Sequence, residues 1–329
     1  MRNRPSRRQF ITRAAGLTAA SLAPLPLLAQ AWPAKPVRVV VGFPAGGLTD
    51  VLARGYSEQL SQRLGQSFVV ENRPGAGSMI ACGEVARAAP DGYTFLFTIS
   101  SAINQNRVLY KTMPYNPDKD FTYVSGFDAG HLPLAVGAGV KVANMREFVE
   151  LARRERVTMG NYSPGTYPHM VAQQMNKLFG TKIEPIPYKG EAPMWLDIAS
   201  GQIQSAIGSI SAMLPHLQSG RVRPIAVPTL TRSPRLPDVP TYEEQGFKAP
   251  VFQIQGWIGM FGPAGLPKEI VSRISGLIQE AADTPRLRTL NQNFGLRDKP
   301  WTAEEFEALN REIGPYWISL ARELGVTLD

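Results

Sequence analysis

Short β-branched runs alternate with helical periodicities along most of this chain. Val37-Arg38-Val39-Val40-Val41 has the near-continuous apolar character of a buried strand. The Pro/Gly loop Phe43-Pro44-Ala45-Gly46-Gly47 follows it. Val51, Leu52, Leu60 and Leu64 then mark one face of a helix over about 49–64, which Gly65 ends. Phe68-Val69-Val70 predicts a second strand. A glycine-rich loop over 73–77, a helix to about 88 and the Asp91-Gly92 turn lead into a third strand over 93–99.

After a Pro-rich passage over 113–118 the alternation resumes at 132–136. Asn144-Met145-Arg146-Glu147 reads as a capping box opening a helix to about 154. A strand at 157–159, the loop Ser163-Pro164-Gly165-Thr166 and a helix to 178 repeat the first pattern. Further strands are predicted at 183–187, 203–207 and 224–227. The stretch 229–246 is a long polar connection. Beyond Trp257-Ile258-Gly259-Met260-Phe261 comes a mainly helical tail, with Pro267 at a first helical position and Ile270, Ile274 and Ile278 on one face.

Alternating strands and helices imply mainly parallel sheets covered on both faces. Two such blocks predict an α/β protein of two lobes joined by crossing strands. Ligands in such sheets bind beyond the carboxyl ends of the strands, so the strand-to-helix loops are the places to search.

The first thirty-one residues read as an address. Ser6-Arg7-Arg8-Gln9-Phe10-Ile11 matches the twin-arginine export pattern. An Ala/Leu-rich run over 14–28 follows and ends in Ala29-Gln30-Ala31, a small-x-small cleavage signal. The run is short for a membrane span, which needs roughly 20 residues. Cleavage after Ala31 would release a periplasmic protein. The general secretory route is the alternative for the same leader. Five arginines fall within the first thirteen positions, so of the 35 basic residues 30 remain, against 27 acidic, once the leader is gone. The net charge of +8 is therefore no argument for nucleic acid. The single cysteine, Cys82, excludes an intrachain disulfide and reads as a buried thiol.

Two loops carry the candidate chemistry. Phe43 to Asp50 leaves a strand and opens a helix, and Ser163 to His169 is built alike in the second block. Face to face, two helix N-termini could hold a carboxylate without Arg or Lys. Asp50 reads as a helix-start residue. The P-loop lysine, the third dinucleotide-fold glycine, a nucleophile elbow and clustered metal ligands are all missing, so no cofactor or metal is expected. A secreted hydrolase using Ser163 and His169 is the rival reading, with no third group in view.

Across nearly all of the mature chain, these loops resemble the substrate-binding proteins of tripartite tricarboxylate transporters, the Bug receptors. The resemblance rests on Pro44-Ala45-Gly46-Gly47-Leu48-Thr49-Asp50, Glu71-Asn72-Arg73-Pro74-Gly75-Ala76-Gly77, Ala89-Pro90-Asp91-Gly92-Tyr93-Thr94, Pro187-Tyr188-Lys189-Gly190 and Pro263-Ala264-Gly265-Leu266-Pro267, in that order. It implies a two-lobe Venus-flytrap fold, with lobe one over 32–131 plus 254–329 and lobe two over 132–253. It also implies a non-enzymatic monomer that captures a dicarboxylate, amino acid or aromatic acid for a membrane transporter, or for a sensor. Mapped here, the resemblance points to Phe43, Gly46, Gly47 and Thr49 facing Ser163, Gly165, Thr166 and Tyr167, with Ser100, Ser101 and Gly190 as further contacts. Two departures stand out. Tyr167 replaces a smaller residue and is expected to narrow the pocket or stack on a ring. Gln204 replaces an Asp and is expected to remove a charge near the cleft.

Overall fold

The strand β1 (Val37–Val41) is buried at four of its five positions, because both faces of its sheet are covered. The computed structural model describes residues 32–329, and the body built from Lys35–Asp329 is the subject below. The leader expected over 1–31 lies outside the described residues. The chain lays down β1, β2 (Phe68–Asn72), β3 (Thr94–Ile99) and β4 (Phe121–Asp128), then β5 (Leu134–Gly137). β6 (Val157–Asn161), β7 (Ile183–Pro187), β8 (Ser205–Ile207) and β9 (Val222–Ala226) follow, and β10 (Trp257–Pro263) is last.

These strands form two sheets of one design, ordered β2-β1-β3-β10-β4 and β7-β6-β8-β5-β9. In the first, β1 is parallel to β2 and β3, and β10 runs antiparallel between β3 and β4. In the second, β6 is parallel to β7 and β8, and β5 runs antiparallel between β8 and β9. Four strands of each sheet thus point one way and one is reversed. The reversed strand is the one that arrives from the other sheet: β5 directly after β4, β10 after the long 227–256 connection. The mainly parallel, two-lobe α/β architecture expected from the sequence is the one observed.

The helices are α1 (Leu48–Leu64), α2 (Met79–Ala86), α3 (Met145–Arg154), α4 (Tyr167–Phe179) and α5 (Glu191–Ser200). α6 (Ile210–Gln218), α7 (Lys268–Ala281), α8 (Pro285–Phe294) and α9 (Ala303–Glu323) complete the longer ones, and the four-residue helices Ser100–Ile103 and Asn106–Leu109 lie between β3 and β4. In the second lobe Leu134 and Val136 face one apolar cluster, with Phe148 and Met170, while Ala135 faces another, with Met194 and Trp195. This is the period-two alternation of a strand sandwiched between helix layers. In the first lobe Val40, Leu96, Trp257, Phe261 and Phe306 share a core. Cys82 is buried there too, which pushes its thiol up to about 12 and leaves it a packing residue.

The C-terminal helix serves both lobes. Near its start Phe306 packs in the first core, and near its end Trp317, Leu320 and Ala321 pack in the second. Between them the buried Asn310 ties the helix down: its Oδ1 accepts from Asn104 Nδ2 (2.8 Å) and Trp257 Nε1 (3.2 Å), and its Nδ2 donates to Tyr123 Oη (2.8 Å).

Two local readings need correction. Asn144 accepts from the Glu147 N–H, but the Glu147 carboxylate reaches back to the Ala143 N–H, one residue too early for a capping box. The reciprocal box is made instead by Thr302 and Glu305 at the start of α9. Pro267 is the N-cap of α7 rather than its first residue.

Candidate functional site

The carboxyl ends of β1 and β6 deliver their chains into two loops of matching geometry. In the first, Gly46 has φ 89° and the N-cap Gly47 has φ −78°, ψ 168°. In the second, Gly165 has φ 74° and the N-cap Thr166 has φ −76°, ψ 168°. Each loop is locked by the residue four positions on. The Gly46 N–H donates to Asp50 Oδ2 (3.0 Å), and the Gly165 N–H donates to His169 Nδ1 (3.0 Å). Asp50 also accepts from Arg54 Nε (3.0 Å) and Asn72 Nδ2 (2.8 Å). Burial alone would raise its pKa, but the bonds from Arg54, Gly46 and Asn72 outweigh that and hold the carboxyl below its usual range.

Asp50 is thus a loop brace, as its helix-start position suggested. His169 is its counterpart: its Nδ1 is engaged by the backbone, and no hydrogen bond to Ser163 occurs among the described residues. The Ser163 carbonyl accepts from Thr166 Oγ1 (2.6 Å). Nothing in this arrangement resembles a nucleophile and its base.

The two braces differ in one respect. Burial lowers the His169 pKa from 6.5, and only the neutral ring can accept at Nδ1. A base depressed in the folded state contributes stability that is complete above its unfolded value. That contribution is lost as pH falls from about 6.5 toward the depressed value. The melting temperature is therefore expected to drop below that pH, and the drop to be smaller in His169→Asn, whose amide oxygen accepts at any pH. Parallel melting curves for the two proteins from pH ~7 to ~5 would contradict this.

The braced loops bring the starts of α1 and α4 to one cavity that is partly open to solvent. Of the residues singled out from sequence, Phe43, Gly47, Thr49, Ser100, Ser101, Thr166, Tyr167 and Gly190 stand on its wall. Gly46 and Gly165 stand back from it, because their N–H groups are spent on the braces. Ser163 lines an adjoining groove with Pro74, Gly75 and Lys189. The first-turn N–H groups of α1 (Leu48, Thr49, Asp50) and of α4 (Tyr167, His169) have no intrahelical acceptor, which leaves a set of donors and two positive dipole ends. Pro168 supplies no N–H.

Sequence reasoning missed several wall residues. Tyr162, Leu132, Trp257 and Trp317 make the cavity largely apolar. Glu191, Ala192 and Pro193 bring a third helix start, that of α5. A Glu at a first helical position reads as an ordinary dipole-favoured residue, so sequence gave no reason to mark Glu191. Tyr167 does sit in the wall, buried edge-on to Trp317 with ring centroids 6.1 Å apart. Its hydroxyl has no partner among the described residues. Gln204 is not near the cleft. Its Oε1 accepts from the N–H (2.8 Å) and the hydroxyl of Thr158, near the start of β6, whereas the cavity lies beyond that strand's other end. It braces the sheet and does not tune the ligand site.

Two lobes with crossing strands, and a helix N-terminus from each on one cavity, define a solute-binding protein. The chain belongs to the family described as the tripartite tricarboxylate transporter family receptor, which matches residues 52–313. It is 30% identical to Protein BugT of Bordetella pertussis over 306 residues, covering 92% of this chain and 93% of BugT. Among solved structures it superposes on Rpa4515 of R. palustris with adipate, with a TM-score of 0.84 and 30% identity, covering 90% of this chain and 99% of that one. It also superposes on MatC from Rhodopseudomonas palustris with bound malate, with a TM-score of 0.77 and 27% identity, covering 88% and 100%.

Proposed function

We propose that this protein captures a small carboxylated molecule between its lobes, unchanged, for delivery to a membrane partner. The supporting observation is the opposition of two equally built helix starts, one per lobe, across a cavity whose wall holds no Lys, Arg or His among the described residues. Backbone N–H groups and dipoles then supply the attraction for an anion. Gly47 and Thr49 on one side, with Thr166 and Tyr167 on the other, would grip the carboxylate. Phe43, Ser100 and Gly190 would flank it. The braced Gly46 and Gly165 and the nearby Ser163 would set the loops' shape. Adipate in Rpa4515 and malate in MatC support a carboxylate here.

On this reading lobe one comprises 32–131 with 254–329 and lobe two 132–253. The ligand's added contacts in the closed state drive closure. The partner is the membrane part of a tripartite tricarboxylate-type transporter, and a sensor is the second reading. The monomer would act in the periplasm after twin-arginine export and removal of 1–31.

A melting screen against small carboxylates tests the proposal. A true ligand at a hundred times its Kd adds about 2.7 kcal/mol to stability. In Thr49→Val the protein is expected to fold but to bind that ligand roughly ten- to hundredfold more weakly, the cost of one hydrogen bond to a charged group. Unchanged affinity in this variant would remove the Thr49 hydroxyl from the ligand's contacts.

A further inference from the structure

We propose that Glu191 makes this cavity select a carboxylate that carries a protonated amine at its other end, in preference to a dicarboxylate. The inference rests on the carboxylate reading above. Glu191 is the only Asp, Glu, Lys, Arg or His on the cavity wall among the described residues. It is the first residue of α5, directly after Gly190, and keeps partial exposure there.

Its carboxylate is fixed. Oε1 accepts from the Ser209 N–H (2.9 Å) and Oε2 from the Ser209 hydroxyl. Ser209 is the N-cap of α6, so the carboxylate also lies at the positive end of that helix. Both features favour the ionised form, whose remaining lone pairs can only accept. Burial works the other way and raises the pKa of the group. A cation brought beside it offsets that penalty, whereas a second anion adds to it. Ser209 itself is almost wholly buried and cannot turn away to release the carboxylate.

The cavity wall therefore offers two chemistries. Helix starts offer donors for an anion, and one carboxylate offers acceptors for a donor. Much of the remaining wall is apolar, with Ile99, Leu132, Trp257 and Trp317. A ligand that satisfies all three has an anionic head, an apolar body and an ammonium.

Matched pairs test this. Succinate, adipate and suberate are each compared with the ω-amino acid of the same chain length, in which one terminal carboxylate becomes an ammonium. Affinities are measured by titration calorimetry near neutral pH on protein stripped of ligand by unfolding and refolding. The amino member of at least one pair is expected to bind about tenfold or more tightly than its diacid. Glu191→Gln keeps the side-chain shape and one acceptor for Ser209, and is expected to shrink or invert that ratio. A purely structural Glu191 would change both affinities together and leave the ratio alone. Tighter diacid binding in every pair, or a ratio that Glu191→Gln does not move, overturns the inference. If the diacids bind and Thr49→Val weakens them, the carboxylate reading survives and only the selectivity falls. If no compound of either series binds, both fall.

Discussion

Trp317→Ala is expected to lower folding stability by about 3–5 kcal/mol, the range for removing a large buried aromatic side chain. Its indole is fully buried and packs edge-on against Tyr167 and, at 5.5 Å between centroids, against Tyr316. It belongs to the second lobe's core although its helix begins in the first. The truncation therefore loosens a helix anchored in both lobes and opens the cavity wall at once. Denaturant unfolding should report the stability loss, and ligand affinity should fall with it. A loss below about 1 kcal/mol would mean that the end of α9 packs only loosely.

Gly165→Ala is expected to cost about 2–3 kcal/mol and at least tenfold in affinity. Its φ of 74° is strained for a residue with a Cβ, and an added methyl would lie 2.1 Å from Leu109 Cδ1. Leu109 is itself fully buried, so relief must come from moving the loop and with it the start of α4. Gly47→Ala is the informative comparison. Its φ of −78° is ordinary and an added methyl meets nothing within 4 Å, so stability should change by no more than about 0.5 kcal/mol. That methyl would still stand on the cavity wall and hinder the ligand. Equal stability losses in the two variants would refute the assignment of Gly165 to loop shape.

Much of this architecture was legible because the buried strands are β-branched and the loops carry Pro and Gly at helix starts. β4 escaped notice for a physical reason. Its run is interrupted by Ser125 and Gly126, and Gly126 exists to admit the Phe306 ring, since a Cβ there would lie 2.4 Å from Phe306 Cδ2. That contact joins residues 180 positions apart and leaves no local trace. The likeness of the two binding loops was visible, but their braces were not. Asp50 and His169 share no side-chain chemistry beyond an acceptor at the same distance from the glycine. Gln204 was misplaced because its position relative to a family pattern says nothing about which end of a strand it occupies. Glu191 was hidden by its conventional place at a helix start.

β10 fills the interior of a sheet whose other four strands all precede the whole second sheet along the chain. A fragment ending near residue 131 would have β3 and β4 with nothing between them, and the complementary piece would carry an orphan ribbon in exchange. The first sheet therefore cannot close until the chain has passed through the second, and until β10 arrives the facing edges of β3 and β4 stand raw, ready to pair with a second copy.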